Sequence, residues 1–407
     1  MVEKLEKLNR RGFIARSAAL GCSIAASPLV TPIAMAAAPG AQRLVVIILR
    51  GGMDGLDVVR PIGDPDYART RPGLLGADAA LPLDGFFALH PALDGLHPLW
   101  AKGELAFAHA VSTPYRDKRS HFDGQDILEA GIDAGGQVRD GWLNRALAGI
   151  SGGEMRTAFA VGREDMLILT GEAEVSHWAP NSVLTLTPQS RLLLANMYAD
   201  APLFSSSIEE AIALAQTLDV GGESGDYQDV SQAMAQSMQG GGREGVEKIA
   251  RFTAERLREE TRIASFSITG WDTHSGQRGG LTRALAQLQK AILTLRDGLG
   301  TDWQTTTVLA MTEFGRTARE NGTGGTDHGT GGALIMAGGA VRGGKVYGNW
   351  PGLGESALYQ ARDLMPTGDV RAYAAAALSG VFGLSKSQLE TQVFPGLDLS
   401  TPPEIIL

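Results

Sequence analysis

Arg43-Leu44-Val45-Val46-Ile47-Ile48-Leu49-Arg50-Gly51-Gly52-Met53-Asp54-Gly55 decides the fold class. Its six apolar residues, 44–49, do not alternate with polar ones, and a glycine-rich turn follows Arg50. A run of that kind predicts a strand covered on both faces, as in a parallel sheet packed between helices. Further apolar runs at 105–110, 157–161, 166–169, 264–268, 306–311 and 333–337 read as strands of the same sheet. Helical patterns lie among them. Leu281, Leu285, Leu288, Ile292 and Leu295 make one apolar face, and Val246, Ile249, Thr253 and Leu257 trace another. Residues 369–381 are Ala-rich and helical in pattern, and 127–130 continue an apolar helical stretch. The alternation predicts an α/β domain with a mostly parallel central sheet and helices on both faces. Residues 220–243, rich in Gly, Ser and Gln, read as a loop or a joint.

The chain opens differently. Asn9-Arg10-Arg11-Gly12-Phe13-Ile14 carries a paired arginine ahead of a weakly apolar, Ala-rich run, the pattern of a twin-arginine export signal. Arg16, Pro28 and Pro32 make that run a poor membrane span. Ala34-Met35-Ala36 is a small-x-small cleavage site, so residues 1–36 are expected to be a removable leader. The expected export partner is the twin-arginine translocase, and the destination is the periplasm or the exterior. That route carries folded proteins, often ones that capture a metal or cofactor before export. Cys22, the only cysteine, lies inside the leader; the remainder has no thiol for a disulfide, a nucleophile or a ligand. The formal charge is −9, and losing a leader with five basic and two acidic side chains leaves −12. Such a balance argues against nucleic acid or an anionic membrane as partner. No later stretch is long and apolar enough for stable membrane insertion.

Several chemistries lack their motif. No G-x-G-x-x-G follows the first strand, and neither a phosphate-binding G-x-x-x-x-G-K-[ST] loop nor a G-x-S-x-G serine elbow occurs. Ligands of open α/β sheets sit beyond the carboxyl ends of the strands, and three predicted strands end in reactive residues. They give Asp54, then Asp272 and His274 in Trp271-Asp272-Thr273-His274, then Glu313 and Arg316 in Thr312-Glu313-Phe314-Gly315-Arg316. Asp327 and His328 follow in a glycine-rich stretch. Asp54, Asp272, His274, Glu313, Asp327 and His328 are therefore candidate ligands of a divalent metal. Mixed oxygen and nitrogen donors favour zinc or manganese, with calcium or magnesium possible. The alternative for each carboxylate is a helix cap. In Arg119-Ser120-His121-Phe122-Asp123, Ser120 falls at a helix start, where it either caps or serves as a nucleophile. His121 is a ligand or packs beside Phe122. Arg119 and Arg316 are candidate oxyanion clamps.

Together these motifs carry a resemblance. The paired-arginine leader, Leu49-Arg50-Gly51-Gly52-Met53-Asp54-Gly55, Arg119-Ser120-His121-Phe122-Asp123, Trp271-Asp272-Thr273-His274, Glu313-Phe314-Gly315-Arg316-Thr317 and Asp327-His328-Gly329 resemble, in order, a large family of exported bacterial proteins of unknown function. The resemblance covers about residues 42–400. Through that family the chain is similar to the alkaline phosphatase and sulfatase superfamily. This implies an alkaline-phosphatase-like α/β sandwich and a two-metal site hydrolysing phosphate or sulfate esters of a small molecule or a cell-envelope component. It also implies Asp54 as a metal ligand and Ser120 as nucleophile. The superfamily's Asp-His pair is Glu313-Phe314 here, and Phe314 cannot bind metal, which puts two metals in doubt. A non-catalytic secreted binding or assembly protein on the same fold is the competing expectation. An exported redox enzyme is the weakest, with no cysteine cluster, haem motif or nucleotide fingerprint behind it.

Overall fold

A computed structural model describes residues 33–37, 40–75, 80–133, 135–137, 139–150, 159–161, 166–173, 175–178, 243–259 and 261–407. Residues 1–32, which hold the arginine pair, and all but one of the expected loop residues 220–243 lie outside the described residues. One sheet organises the domain. Its strands are β1 (Ile33–Ala37), β2 (Arg43–Arg50), β3 (Leu105–Ser112), β4 (Phe159–Val161), β5 (Ser176–Trp178), β6 (Thr261–Thr269), β7 (Thr306–Met311), β8 (Gly332–Ala337), β9 (Val346–Tyr347) and β10 (Gly368–Asp369). The order is β9-β3-β8-β7-β2-β6-β1-β4-β5, with β10 also paired to β3. β7, β2 and β6 form a parallel centre, as the apolar run at 44–49 predicts.

Helices α1 (His121–Ala130), α2 (Trp142–Gly149), α3 (Arg243–Arg258), α4 (Gln277–Leu299) and α5 (Val370–Phe382) cover the sheet. Successive side chains of β2 enter opposite cores. Val45, Ile47 and Leu49 pack with α3 and α4, through Ile249, Leu257, Leu285 and Leu288 among others. Leu44, Val46 and Ile48 pack on the other face with Leu128, Leu143, Ala374 and Leu378 from α1, α2 and α5. The period of 2 against helices on both sides explains why the run needs no polar position.

The sheet is mostly parallel, as expected, but mixed: β8 runs antiparallel to both β7 and β3, and β1 antiparallel to β6. One expectation changes. Residues 167–169 form a 3-10 turn instead of a strand. There the Ile168 N–H donates to Glu129 Oε2 at 3.1 Å, and Asn144 donates to the Leu169 carbonyl at 2.9 Å. Side chains of α1 and α2 thus satisfy backbone groups that a ladder would otherwise take up. Ala34-Met35-Ala36, the expected cleavage site, lies within β1.

Candidate metal centre

The carboxyl ends of β2, β6 and β7, the start of α1 and the loop that enters β8 meet at one edge of the sheet. Three histidines stand there, and each has its Nδ1 against an acceptor. His121 Nδ1 lies 2.8 Å from Glu313 Oε1, and His274 Nδ1 3.1 Å from Asp327 Oδ1. His328 Nδ1 lies 2.9 Å from the Arg119 carbonyl oxygen. Burial acts to raise the pKa of Glu313, but hydrogen bonds from His121, the Gly51 N–H and Gln125 outweigh it and hold the carboxyl below its usual range. Asp327 is also held low, the His274 and Asn321 hydrogen bonds outweighing its desolvation. Carbonyl and carboxylate can only accept, so each Nδ1 carries a proton, and a ring that is neutral then presents the lone pair of Nε2. The Glu313 hydrogen bond holds the His121 pKa above its ordinary value against desolvation.

The three Nε2 atoms converge on Asp272. Its Oδ1 lies 3.1 Å from His274 Nε2 and 3.3 Å from His328 Nε2, and its Oδ2 lies 3.4 Å from His121 Nε2. His274 Nε2 and His328 Nε2 are 2.9 Å apart. Two rings protonated at Nδ1 cannot hydrogen-bond to each other through Nε2, so this contact calls for a proton or a cation beside it. His121 Nε2 is buried without a hydrogen-bond partner. Donor atoms about 2.0–2.1 Å from a tetrahedrally held zinc stand roughly 3.3 Å from one another, and the distances here, 2.9 to 3.4 Å, bracket that spacing. Among the described residues, His121, Asp272 and His328 offer donor atoms that all lie within 4.8 Å of one another, a grouping that fits a divalent cation, with His274 at its edge.

The surrounding residues hold the donors still. Arg316 is buried, and its Nη2 donates to Asp272 Oδ1 at 2.7 Å. Desolvation opposes the Asp272 charge, but that guanidinium keeps the carboxyl low. Phe314 stacks on His121, with ring centroids 5.1 Å apart, and lies 5.0 Å from the His328 ring. The glycine-rich segment after residue 320 is an ordered cradle. Asn321 Nδ2 donates to the His274 carbonyl at 2.9 Å and to Asp327 Oδ1 at 3.1 Å, and Thr323 Oγ1 donates to the same carbonyl at 2.7 Å. Gly325 is required, since a Cβ there would sit 2.4 Å from the carbonyl oxygens of Thr273 and His274.

The loop before α1 is strained. Asp117 and Arg119 have φ of +67° and +55°, unusual for residues with a side chain. Tyr359 Oη and Gln360 Nε2 hold the Asp117 carboxylate at 3.1 and 3.0 Å. The strained loop presents the Arg119 carbonyl to His328, consistent with strain kept where a site needs it.

The structure thus brings Asp272, His274 and His328 together, with Asp327 behind His274. His121 completes the set; its sequence signal is its place directly after Ser120 at the start of α1. Other expected residues stand apart from that cluster. Glu313 is fully buried, and its Oε1 accepts from Gly51 N at 2.9 Å as well as lying against His121 Nδ1. Asp54 is also buried, and its Oδ2 is taken by Arg71 Nη1 at 2.7 Å and Gln277 Nε2 at 2.6 Å. Arg316 grips Asp272 from inside and does not face solvent. Arg119 serves through its carbonyl. Ser120 is the N-cap of α1, accepting weakly from Asp123 N at 3.4 Å, and no hydrogen bond joins it to the cluster.

Because Glu313 fixes the His121 tautomer, Glu313→Gln should weaken metal affinity by roughly 10–100-fold while leaving the stoichiometry unchanged. A competition titration against a chromophoric chelator measures this, and an unaltered affinity would show that Glu313 has no such part.

No curated protein matches the chain. A family model described as protein of unknown function (DUF1501) matches residues 108–389. That span includes His121, Asp272, His274, Glu313, Arg316, Asp327 and His328, all residues that build or brace the centre, and it leaves β2 and Asp54 outside. The match covers well over half of the sequence, and the chain belongs to the DUF1501 family of proteins of unknown function.

Proposed function

We propose that this chain is an exported metal-dependent hydrolase of phosphate or sulfate esters, built around a cation held by His121, Asp272, His274 and His328. One observation carries the reading: His121, Asp272 and His328 offer donor atoms within 4.8 Å of one another, His274 Nε2 lies 2.9 Å from His328 Nε2, and each ring is anchored through Nδ1. Three nitrogen donors favour zinc, then manganese, over calcium or magnesium. A divalent cation bound there would polarise an ester oxygen and lower the pKa of a nearby hydroxyl. The chain's own residues do the rest. The Asp272 and His274 side chains are each 45% exposed, so a small ester can reach the centre from that side. Ser120 stands beside His121 at the amino end of a ten-residue helix, where backbone N–H groups and the helix dipole favour an anion, and it remains the proposed nucleophile. Resemblance to the alkaline phosphatase and sulfatase superfamily supports the ester class, and the paired arginines at 10 and 11 support export. Among the described residues, no helix is long and apolar enough to cross a membrane.

The test uses the full chain expressed with its leader. The expected result is recovery from the periplasm, about one zinc per chain, and hydrolysis of an aryl phosphate or aryl sulfate that chelation abolishes and zinc restores. A protein that holds no metal and whose thermal unfolding ignores added zinc and manganese would end the proposal. The second reading, a non-catalytic binding protein, is favoured by the donor count. With His274 joining the three grouped donors, four protein ligands would complete a tetrahedral shell, as in closed structural sites. In that case zinc raises the unfolding temperature and no ester turns over.

A further inference from the structure

Asp54 and Arg316 are both charged and buried, and both leave polar atoms without partners: Oδ1 on one, Nε and Nη1 on the other. Each is tied to a different structure. Asp54 Oδ2 is held by Arg71 and Gln277. Gln277 Nε2 also reaches Asp57 Oδ2 at 3.1 Å, and Asp57 Oδ1 pairs with Arg60 at 2.8 Å. Two arginines and two aspartates are thereby joined through one amide. Arg71 is fully enclosed. Besides Asp54, it donates through Nη2 to the Thr317 carbonyl at 2.6 Å and through Nε to the Ala318 carbonyl at 2.9 Å. These are the two residues that follow Arg316. Arg71 therefore clamps the backbone that carries Arg316, and Asp54, which holds Arg71, bears on Arg316 through that clamp.

Arg316 in turn faces the centre through Nη2, which donates to Asp272 Oδ1 at 2.7 Å and weakly to the Trp271 carbonyl at 3.4 Å. A guanidinium in a dry interior needs counter-charge. With Arg71 fixed by Asp54, the backbone at 317–318 is held and Arg316 meets Asp272 in one pose. Without that clamp, Arg316 would shift against the Asp272 oxygen and make it a poorer donor.

We propose that Asp54 is a positioning residue of the metal centre, which with Arg71 sets Arg316 and through it the Asp272 carboxylate, and never touches the cation. The inference rests on the metal reading above. It goes against the ligand role that the family resemblance implies for Asp54.

Cobalt(II) is the probe, titrated into the full-length wild type and Asp54→Asn. The variant should bind the same number of cobalt ions with the same visible absorption band, and its dissociation constant should rise roughly 10–100-fold, the range for loss of an outer-shell partner. A changed band or a lost equivalent of cobalt overturns the inference, because Asp54 would then be a ligand. An unchanged affinity overturns it too, because Asp54 would then have no hold on the centre. Should Asp54→Asn fail to fold with Arg71 left uncompensated, Asp54→Asn/Arg71→Met removes both charges and is judged by the same outcomes. A wild type that binds no cobalt overturns the metal reading itself, a result distinct from a wild type that binds and a variant that departs from expectation.

Discussion

His328→Ala will purify without tightly held metal. The ring supplies one of the three Nε2 atoms, 2.9 Å from that of His274 and 3.3 Å from Asp272 Oδ1. Its own Nδ1 is the donor that uses the Arg119 carbonyl, and its plane lies near His121, with centroids 4.3 Å apart. Truncation deletes a donor and also frees the loop that the ring braces. Affinity should therefore fall by more than the roughly 10–100-fold that follows loss of an outer-shell partner. His97→Ala is the control. That ring bonds the Pro82 carbonyl at 2.8 Å in another part of the fold, and its removal should leave affinity unchanged. Competition titration on both variants decides the matter. Retention of tight binding by His328→Ala would mean that the cluster is held together by protons and hydrogen bonds alone.

Arg71→Met should cost about 3–5 kcal/mol of unfolding free energy, the usual result of leaving a buried charge without its partner. Methionine roughly matches the apolar stem of arginine, so packing contributes less than the stranded Asp54 carboxylate. Adding Asp54→Asn to that background should restore part of the loss, because the uncompensated charge is gone. Denaturant unfolding of the single and double variants measures both, and a single variant as stable as wild type would refute the role given to the pair. The pH dependence follows from the same contact. Burial acts to raise the Asp54 pKa, but the Arg71 charge and hydrogen bond, with Gln277, outweigh it and hold the folded value below normal. The stabilisation is then complete above the unfolded-chain value near 3.9 and is lost as the pH falls through the lower folded value.

Much of this architecture is written in local pattern. The unbroken apolar run at 44–49 predicts a strand buried on both faces, and both faces of β2 are covered. The spacing from Leu281 to Leu295 predicts α4. Asp272, His274 and His328 stand out because strand ends of an α/β sheet converge on one edge. What the pattern cannot carry is the division of labour at that edge. Asp54 and Glu313 have the same charge as Asp272, and only burial and distant partners separate them: Arg71 for one, His121 and Gly51 for the other. The 3-10 turn at 167–169 is likewise decided by Glu129 and Asn144, which lie well outside any local window. His121 was legible as a candidate but not as a member of the set, since its orientation depends on a carboxylate 192 positions away.

The reversed direction of β8 has a consequence of its own. β7 leaves the sheet where β8 enters it, so residues 312–331 make one out-and-back excursion with both feet moored at the same rim. Glu313 and Arg316 ride on the outbound foot, and Asp327 and His328 on the inbound one. A helical crossover would have returned the chain at the opposite rim and dispersed these residues. The exposed tip at 322–324 is nevertheless tied down: the Thr323 and Gly324 carbonyls accept from Gly276 N at 3.3 Å and Gln277 N at 2.9 Å, so an interruption there would loosen the start of α4 and the His274 loop with it.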